Sequence, residues 1–179
     1  IGHPEVTIKT KLLRENNFLE EEYAIHTEDY ELWSRLLRKK YKLVNIDKKL
    51  HYYRVNSQSV SRKFTKLQDK NFVECAKRHY YAYSGIEYST KVVNVLVNRI
   101  GKKTLTVEHL KKGLVEMKKF KKFFIQKENI RDTKTHSEIN TIYKTHLFDI
   151  LFQSFKRSNG KVRVFVFFQF VKSAHLFMS

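Results

Sequence analysis

After Pro4 the chain runs to Ser179 without another proline, and only Gly2, Gly85, Gly101, Gly113 and Gly160 supply conformational freedom. A sandwich or barrel of β-strands needs turn residues at short intervals, so this scarcity favours long helices. Hydrophobic residues make up 41% of the 179 and aromatic residues 14%, enough for one or two packed cores and unlike a disordered tail.

Periodicity locates the helices. From Thr27 as N-cap, Tyr30, Trp33, Leu36, Leu37 and Tyr41 follow the spacing of one buried helical face. Arg35, Arg38, Lys39 and Lys40 take the other face and the last turn, where cations suit the helix dipole. A second stripe runs through Phe64, Leu67, Phe72, Cys75, Ala76, Tyr80 and Tyr83, with Gly85 as its stop. Residues 106–126 and 137–157 read as further helices, the latter stopped near Gly160, while 88–100 fits either helix or strand.

Three short runs read as strands: PEVTIK at 4–9, KLVNI at 42–46 and LHYYRV at 50–55. The expected fold class is therefore α+β, mainly α, with an α+β module over 1–64 and a basic helical region over 65–179. The closing run through Val164, Phe165, Val166, Phe167, Phe168, Phe170 and Val171 is interrupted by Gln169 and Lys172. A spanning helix needs about 20 apolar residues, so this run is expected to be buried or interfacial.

The net charge of +18 is unevenly placed. Residues 1–64 carry 13 Lys and Arg against 9 Asp and Glu, whereas residues 65–179 carry 23 against 9. The second region should attract phosphates, anionic lipid head groups or nucleic acid. Within it, Leu110, Leu114, Met117, Phe120 and Phe124 share one helical face, opposed by Lys111, Lys112, Lys118, Lys119, Lys121 and Lys122. Such a helix either lies on an anionic membrane or packs on a core with its lysines in solvent. Tyr80, Tyr81 and Tyr83 could stack on bases, but no helix-turn-helix, zinc-finger or RNP motif accompanies them. A basic helical module that binds nucleic acid or membrane without catalysis is thus one functional reading, and a helical interaction or assembly domain is another.

The lone Cys75 has no partner for an internal disulfide and no Cys/His cluster around it, which fits a reducing, cytoplasmic setting. The opening residues IGHPEVTIKTKLLREN hold no long apolar run, so no signal peptide is expected there. A strand-like segment that begins at once, without a Met, reads as part of something longer.

The chemistry-bearing run is HTEDYELWSRLL at 26–37, which sets Glu28 and Asp29 side by side at the mouth of an anchored helix. A carboxylate held there can act as general base. Glu28, Asp29 and Glu31 are equally ordinary first-turn residues that complement the helix dipole.

HPEVTIK at 3–9, EDYELWSRL at 28–36 and YRVNSQSVS at 53–61 occur in one order. Together they resemble the second half of the catalytic domain of family-two glycosyltransferases of the GT-A fold. The resemblance covers residues 1 to about 64. It implies an inverting hexosyltransferase, in which Asp29 takes the proton of an acceptor hydroxyl as that oxygen attacks the anomeric carbon of a nucleotide sugar. Glu28 would position it, and Arg54, Lys9, Ser59 and Ser61 would contact diphosphate or acceptor. The acceptor would be a saccharide or a lipid-linked one, and the enzyme would work in the cytoplasm, at the inner face of a membrane. The intact enzyme would use Mn2+ or Mg2+. The His usual in the Y-R-x-H run is Asn56 here, an oxygen donor and a weaker metal ligand. The nucleotide-binding half with its D-x-D motif is absent from these residues, as are G-x-G-x-x-G and the P-loop pattern. The chain by itself should bind no sugar nucleotide tightly.

Overall fold

A computed structural model describes residues 6–15, 21–44, 46–52, 64–100, 105–158 and 160–177, with the side chains of 172–177 left aside. Among the described residues seven α-helices follow one another: α1 (Thr10–Glu15), α2 (Glu28–Arg38), α3 (Thr65–Ser84), α4 (Thr90–Leu96), α5 (Val107–Lys127), α6 (Thr133–Arg157) and α7 (Gly160–Phe177). A single 3-10 turn, Glu22–Ala24, precedes α2. No strand occurs among the described residues.

The expected α+β class, and with it the α/β GT-A architecture, is therefore corrected to an all-helical one. Residues 6–9 lead irregularly into α1, and 41–44 and 46–52 run without ladder pairing. Pro4 and the part of the third strand-like run beyond residue 52 lie outside the described residues. The physical reason is pairing. A strand exists only when its N–H and C=O groups meet a neighbour's, and here none is offered. Val44, Ile46, Leu50 and Tyr52 stand in solvent instead, Tyr52 at 99% exposure.

The helical expectations fare better because each carries its own hydrogen bonds and punctuation. Gly85 ends α3 in the left-handed conformation at φ 72°, its N–H donating to Tyr81 O at 2.7 Å. Thr106 caps α5 by accepting the His109 N–H at 3.2 Å, and Asp132 caps α6 by accepting that of Thr135 at 2.7 Å. Of residues 88–100, which left helix and strand open, Thr90–Leu96 form α4, capped by Ser89 through the Val92 N–H.

Two compact units divide the chain, residues 1–87 and 88–179. In the first, α2 packs on α3. Leu36, Val73, Cys75 and Ala76 are buried between them, and Tyr30 stacks on Phe72 with centroids 4.1 Å apart. Thr27 does precede α2, but its hydroxyl donates back to Ala24 O at 3.0 Å rather than capping the first turn.

In the second unit α4 packs on α5 and α6 on α7. Val92, Val93, Val95, Leu96 and Leu110 fill the first contact, Leu147, Ile150, Leu151, Val162 and Val166 the second. His146 Nε2 donates to Leu96 O at 2.6 Å and Arg157 Nη1 to Ile100 O at 3.1 Å, tying α6 to the end of α4. The buried positions of α5, Leu110 and Met117, are those of the apolar stripe, while Lys111, Lys112, Lys118, Lys119 and Lys122 are exposed. On α7, Val162 and Val166 face inward, while Val164, Phe167, Phe168 and Val171 are each more than half exposed. Among the described residues no helix is long and apolar enough to cross a membrane.

Gly113 sets the approach of α4 to α5. A Cβ built there would lie 2.4 Å from Val95 Cγ1 and 2.5 Å from Val95 Cβ, closer than such atoms come. On an open helix Gly→Ala stabilises by about 1 kcal/mol, but overpacking costs about 1–3 kcal/mol. Gly113→Ala should therefore lower the urea midpoint of unfolding, and a raised midpoint would mean that the two helices are not in close contact.

Candidate functional site

The start of α2 is where the chemistry-bearing residues gather, and it is positioned by a carboxylate further along the same helix. Glu31 is buried to 1% exposure. Its Oε1 accepts the Tyr23 hydroxyl at 3.1 Å, and its Oε2 pairs with Arg35 Nε at 2.8 Å. Arg35 also reaches Glu21 at 3.8 Å, and Arg78 of α3 lies 4.2 Å over the Tyr23 ring. Burial, then the charge of Glu31 and the hydrogen bond to it, push the Tyr23 phenol from 10.0 up to about 12.

The loop before α2 is held by α3. Gln68 Nε2 donates to His26 O at 2.8 Å and Asn71 Nδ2 to Ile25 O at 2.9 Å. His26 itself takes a positive φ of 67°, a conformation that costs a non-glycine residue energy. Midway along α3, Cys75 is buried against the Thr27 hydroxyl at 3.6 Å, and burial raises its thiol pKa, the opposite of what a nucleophilic cysteine needs. At the far end of α2, Arg38 Nη1 donates to Nδ1 of the buried His79, and burial lowers the Arg38 pKa.

On this frame Glu28 and Asp29 occupy the first turn of α2, both half-buried. Asp29 Oδ1 accepts the Tyr30 N–H at 2.7 Å, meeting one of the amide donors that a helix start leaves unpaired. That contact fixes the carboxylate's orientation. Glu28 Oε2 is enclosed and has no hydrogen-bond partner among the described residues. An enclosed oxygen without a donor is costly, by roughly 1–3 kcal/mol.

Of the other expected residues, Lys9 is exposed just before α1, where its carbonyl accepts the Leu12 N–H at 2.9 Å. Arg54, Asn56, Ser59 and Ser61 lie outside the described residues. Among the described residues no group of three or more His, Cys, Asp or Glu side chains is arranged to hold a metal ion. Glu28 and Asp29 are thus the two expected residues that the structure brings together.

Glu31, read from sequence as one more first-turn acid, is the residue whose importance was missed. The signal was its i, i+4 pairing with Arg35. No family model, no curated protein and no solved structure matches the chain.

Removing one partner of a buried ion pair costs about 3–5 kcal/mol. Glu31→Ala should accordingly cause a large loss of thermal stability, well beyond that of Tyr23→Phe. The phenol adds a pH signature. Its folded value lies above its unfolded one, so its contribution is fully present below about pH 10 and is lost as pH rises toward 12. In an ultraviolet phenolate titration, Tyr23→Phe should delete a transition near the upper end of that window, and an unchanged profile would mean that Tyr23 does not meet Glu31.

Proposed function

We propose that the chain supplies the acceptor-side segment of an inverting glycosyltransferase, with Asp29 as general base. The observation that carries this reading is the Glu28–Asp29 pair: a half-buried, oriented carboxylate beside an enclosed carboxylate oxygen that lacks a donor. The reading draws on the E-D-Y-x-L-W helix and its neighbouring motifs, and on no GT-A architecture in the described residues.

In the proposed step the acceptor O–H bond breaks toward an Asp29 carboxylate oxygen while the acceptor oxygen attacks the anomeric carbon. The bond from that carbon to the diphosphate breaks with its electron pair, releasing the nucleoside diphosphate. A sugar hydroxyl is a poor nucleophile near neutral pH, and a placed base contributes about 10²- to 10⁴-fold. Glu28 orients the acceptor or its neighbour. Nucleotide sugar and metal would be bound by a donor half from outside these residues. The exposed Val44, Ile46, Leu50 and Tyr52 are suited to being covered by it.

A second, non-catalytic reading has its own support. The exposed lysine face of α5 and the apolar stripe Val164, Phe167, Phe168 and Val171 of α7 suit an anionic membrane surface. Such binding would weaken as salt is raised.

The test is transfer of labelled hexose from a nucleotide sugar, with Mn2+, by the full-length protein that carries this segment. Asp29→Asn should lower turnover by about 10²- to 10⁴-fold while donor binding holds. Equal turnover in the variant would leave Asp29 as a helix-start acceptor. A protein that never uses a nucleotide sugar but binds anionic vesicles would transfer the lead to the second reading.

A further inference from the structure

The seam between α5 and α6 is unlike the other helix contacts of its unit. α5 packs chiefly on α4 and α6 chiefly on α7, and between the C-terminal half of α5 and the N-terminal half of α6 a cleft of about 790 Å3 remains. An amphipathic pair places apolar residues along such a seam. Here α6 instead presents Thr133, Ser137, Asn140, Thr141 and Lys144, spaced i, i+4, i+7, i+8 and i+11 on one stripe. Lys121 of α5, Arg131 of the connecting loop and the His136 and Tyr143 rings of α6 complete it, and no carboxylate lines the cleft.

Lys121 is the informative member. It is half-buried, whereas Lys118, Lys119 and Lys122 around it are exposed. Lys119 has a carboxylate, Glu116 Oε1 at 2.8 Å. The Lys121 ammonium donates to Asn140 Oδ1 at 3.0 Å and lies 4.2 Å over the Tyr143 ring, two partners that carry no negative charge. Burial, then Lys118 and Lys122, lower its pKa. The start of α6 is already occupied, because Asp132 Oδ1 accepts the Thr135 N–H, so the cleft does not depend on a helix N-terminus.

We propose that this cleft is a phosphate-binding site, in which Lys121, Arg131 and Lys144 neutralise the anion and the Ser137 hydroxyl and Asn140 amide donate to its oxygens, the Thr141 hydroxyl being already given to Ser137 O at 3.0 Å. Three cations without a lining carboxylate favour an anion, and hydroxyl and amide groups between them match the many acceptors of a phosphate. The volume exceeds that of inorganic phosphate and leaves room for a diphosphate or for the first atoms of an ester. The phosphate comes either from a soluble compound or from a lipid head group. The site is independent of Asp29, and its test uses no sugar transfer.

Pyrophosphate is titrated calorimetrically into the full chain, Lys121→Gln/Lys144→Gln, and Lys91→Gln/Lys112→Gln, whose two exposed lysines lie outside the cleft. The first variant should bind about tenfold or more weakly, and the second, of equal charge, like the parent. Equal weakening in both would reduce the effect to the net charge of the chain, and absence of binding to the parent would likewise overturn the proposal. If the first variant loses its helical circular dichroism, Arg131→Gln, in the exposed loop, takes its place with the same criteria. Vesicles of phosphatidylcholine with and without phosphatidic acid separate the sources. Sedimentation with the acidic vesicles that pyrophosphate competes away assigns the site to a lipid head group, and pyrophosphate binding without sedimentation assigns it to a soluble phosphate.

Discussion

The first unit depends on a carboxylate that has no business being dry unless it is answered. Glu31 sits at 1% exposure between Tyr23 and Arg35, one oxygen accepting the Tyr23 hydroxyl and the other ion-paired with Arg35. Taking a carboxylate out of water is offset only when charge and hydrogen bonds replace the lost solvation. The consequence reaches the helix mouth. Because Glu31 lies one turn inside α2 and Tyr23 lies in the 3-10 turn before it, their bond fixes how the chain enters the helix. Gln68 and Asn71 then hold the carbonyls of the intervening loop from α3. Glu28 and Asp29 are carried on this frame and owe their positions to it.

What the sequence disclosed follows from how local each element's stabilisation is. Helices close their hydrogen bonds within a few residues, so the helix Thr65–Ser84 and the stop at Gly85 were readable without any knowledge of the rest, although Phe64 and Leu67 at its start are exposed. The strands at 42–46 and 50–55 were inferred from short strand-like runs, and such a run says what a strand could be made of, not whether a partner exists. In the described residues none does. Glu31 was hidden for a related reason. Its residue type and position fit a dipole-complementing surface acid, and only the approach of α3, with Cys75 and Ala76 buried beside it, removes it from water. Asp29 was legible as a candidate from its motif, whereas the enclosed oxygen of Glu28 was not legible at all.

Charge poses the opposite problem in the second unit. With 36 Lys and Arg against 18 Asp and Glu in the whole chain, many cations cannot have a carboxylate of their own. Aromatic faces take up part of the demand: Lys111 lies over Phe165, Lys127 over Phe123, Lys156 over Phe152 and Arg163 over Phe155. A ring quadrupole attracts a cation without needing to be solvated itself, so these pairs cover apolar surface and place charge together. The arrangement works where the ammonium keeps its water.

Lys121 marks where it stops working. Its ring partner, Tyr143, belongs to the same helix as Asn140, so the ammonium is drawn down into the α5–α6 seam instead of lying over an exposed face. There it loses water, keeps Lys118 and Lys122 as near neighbours, and gains only neutral contacts. Met117, one turn earlier on α5, is apolar and buried, whereas position 121 carries an ammonium. A lysine held in this way, facing hydroxyls across an open cleft, is better matched to an incoming anion than to the folded chain alone.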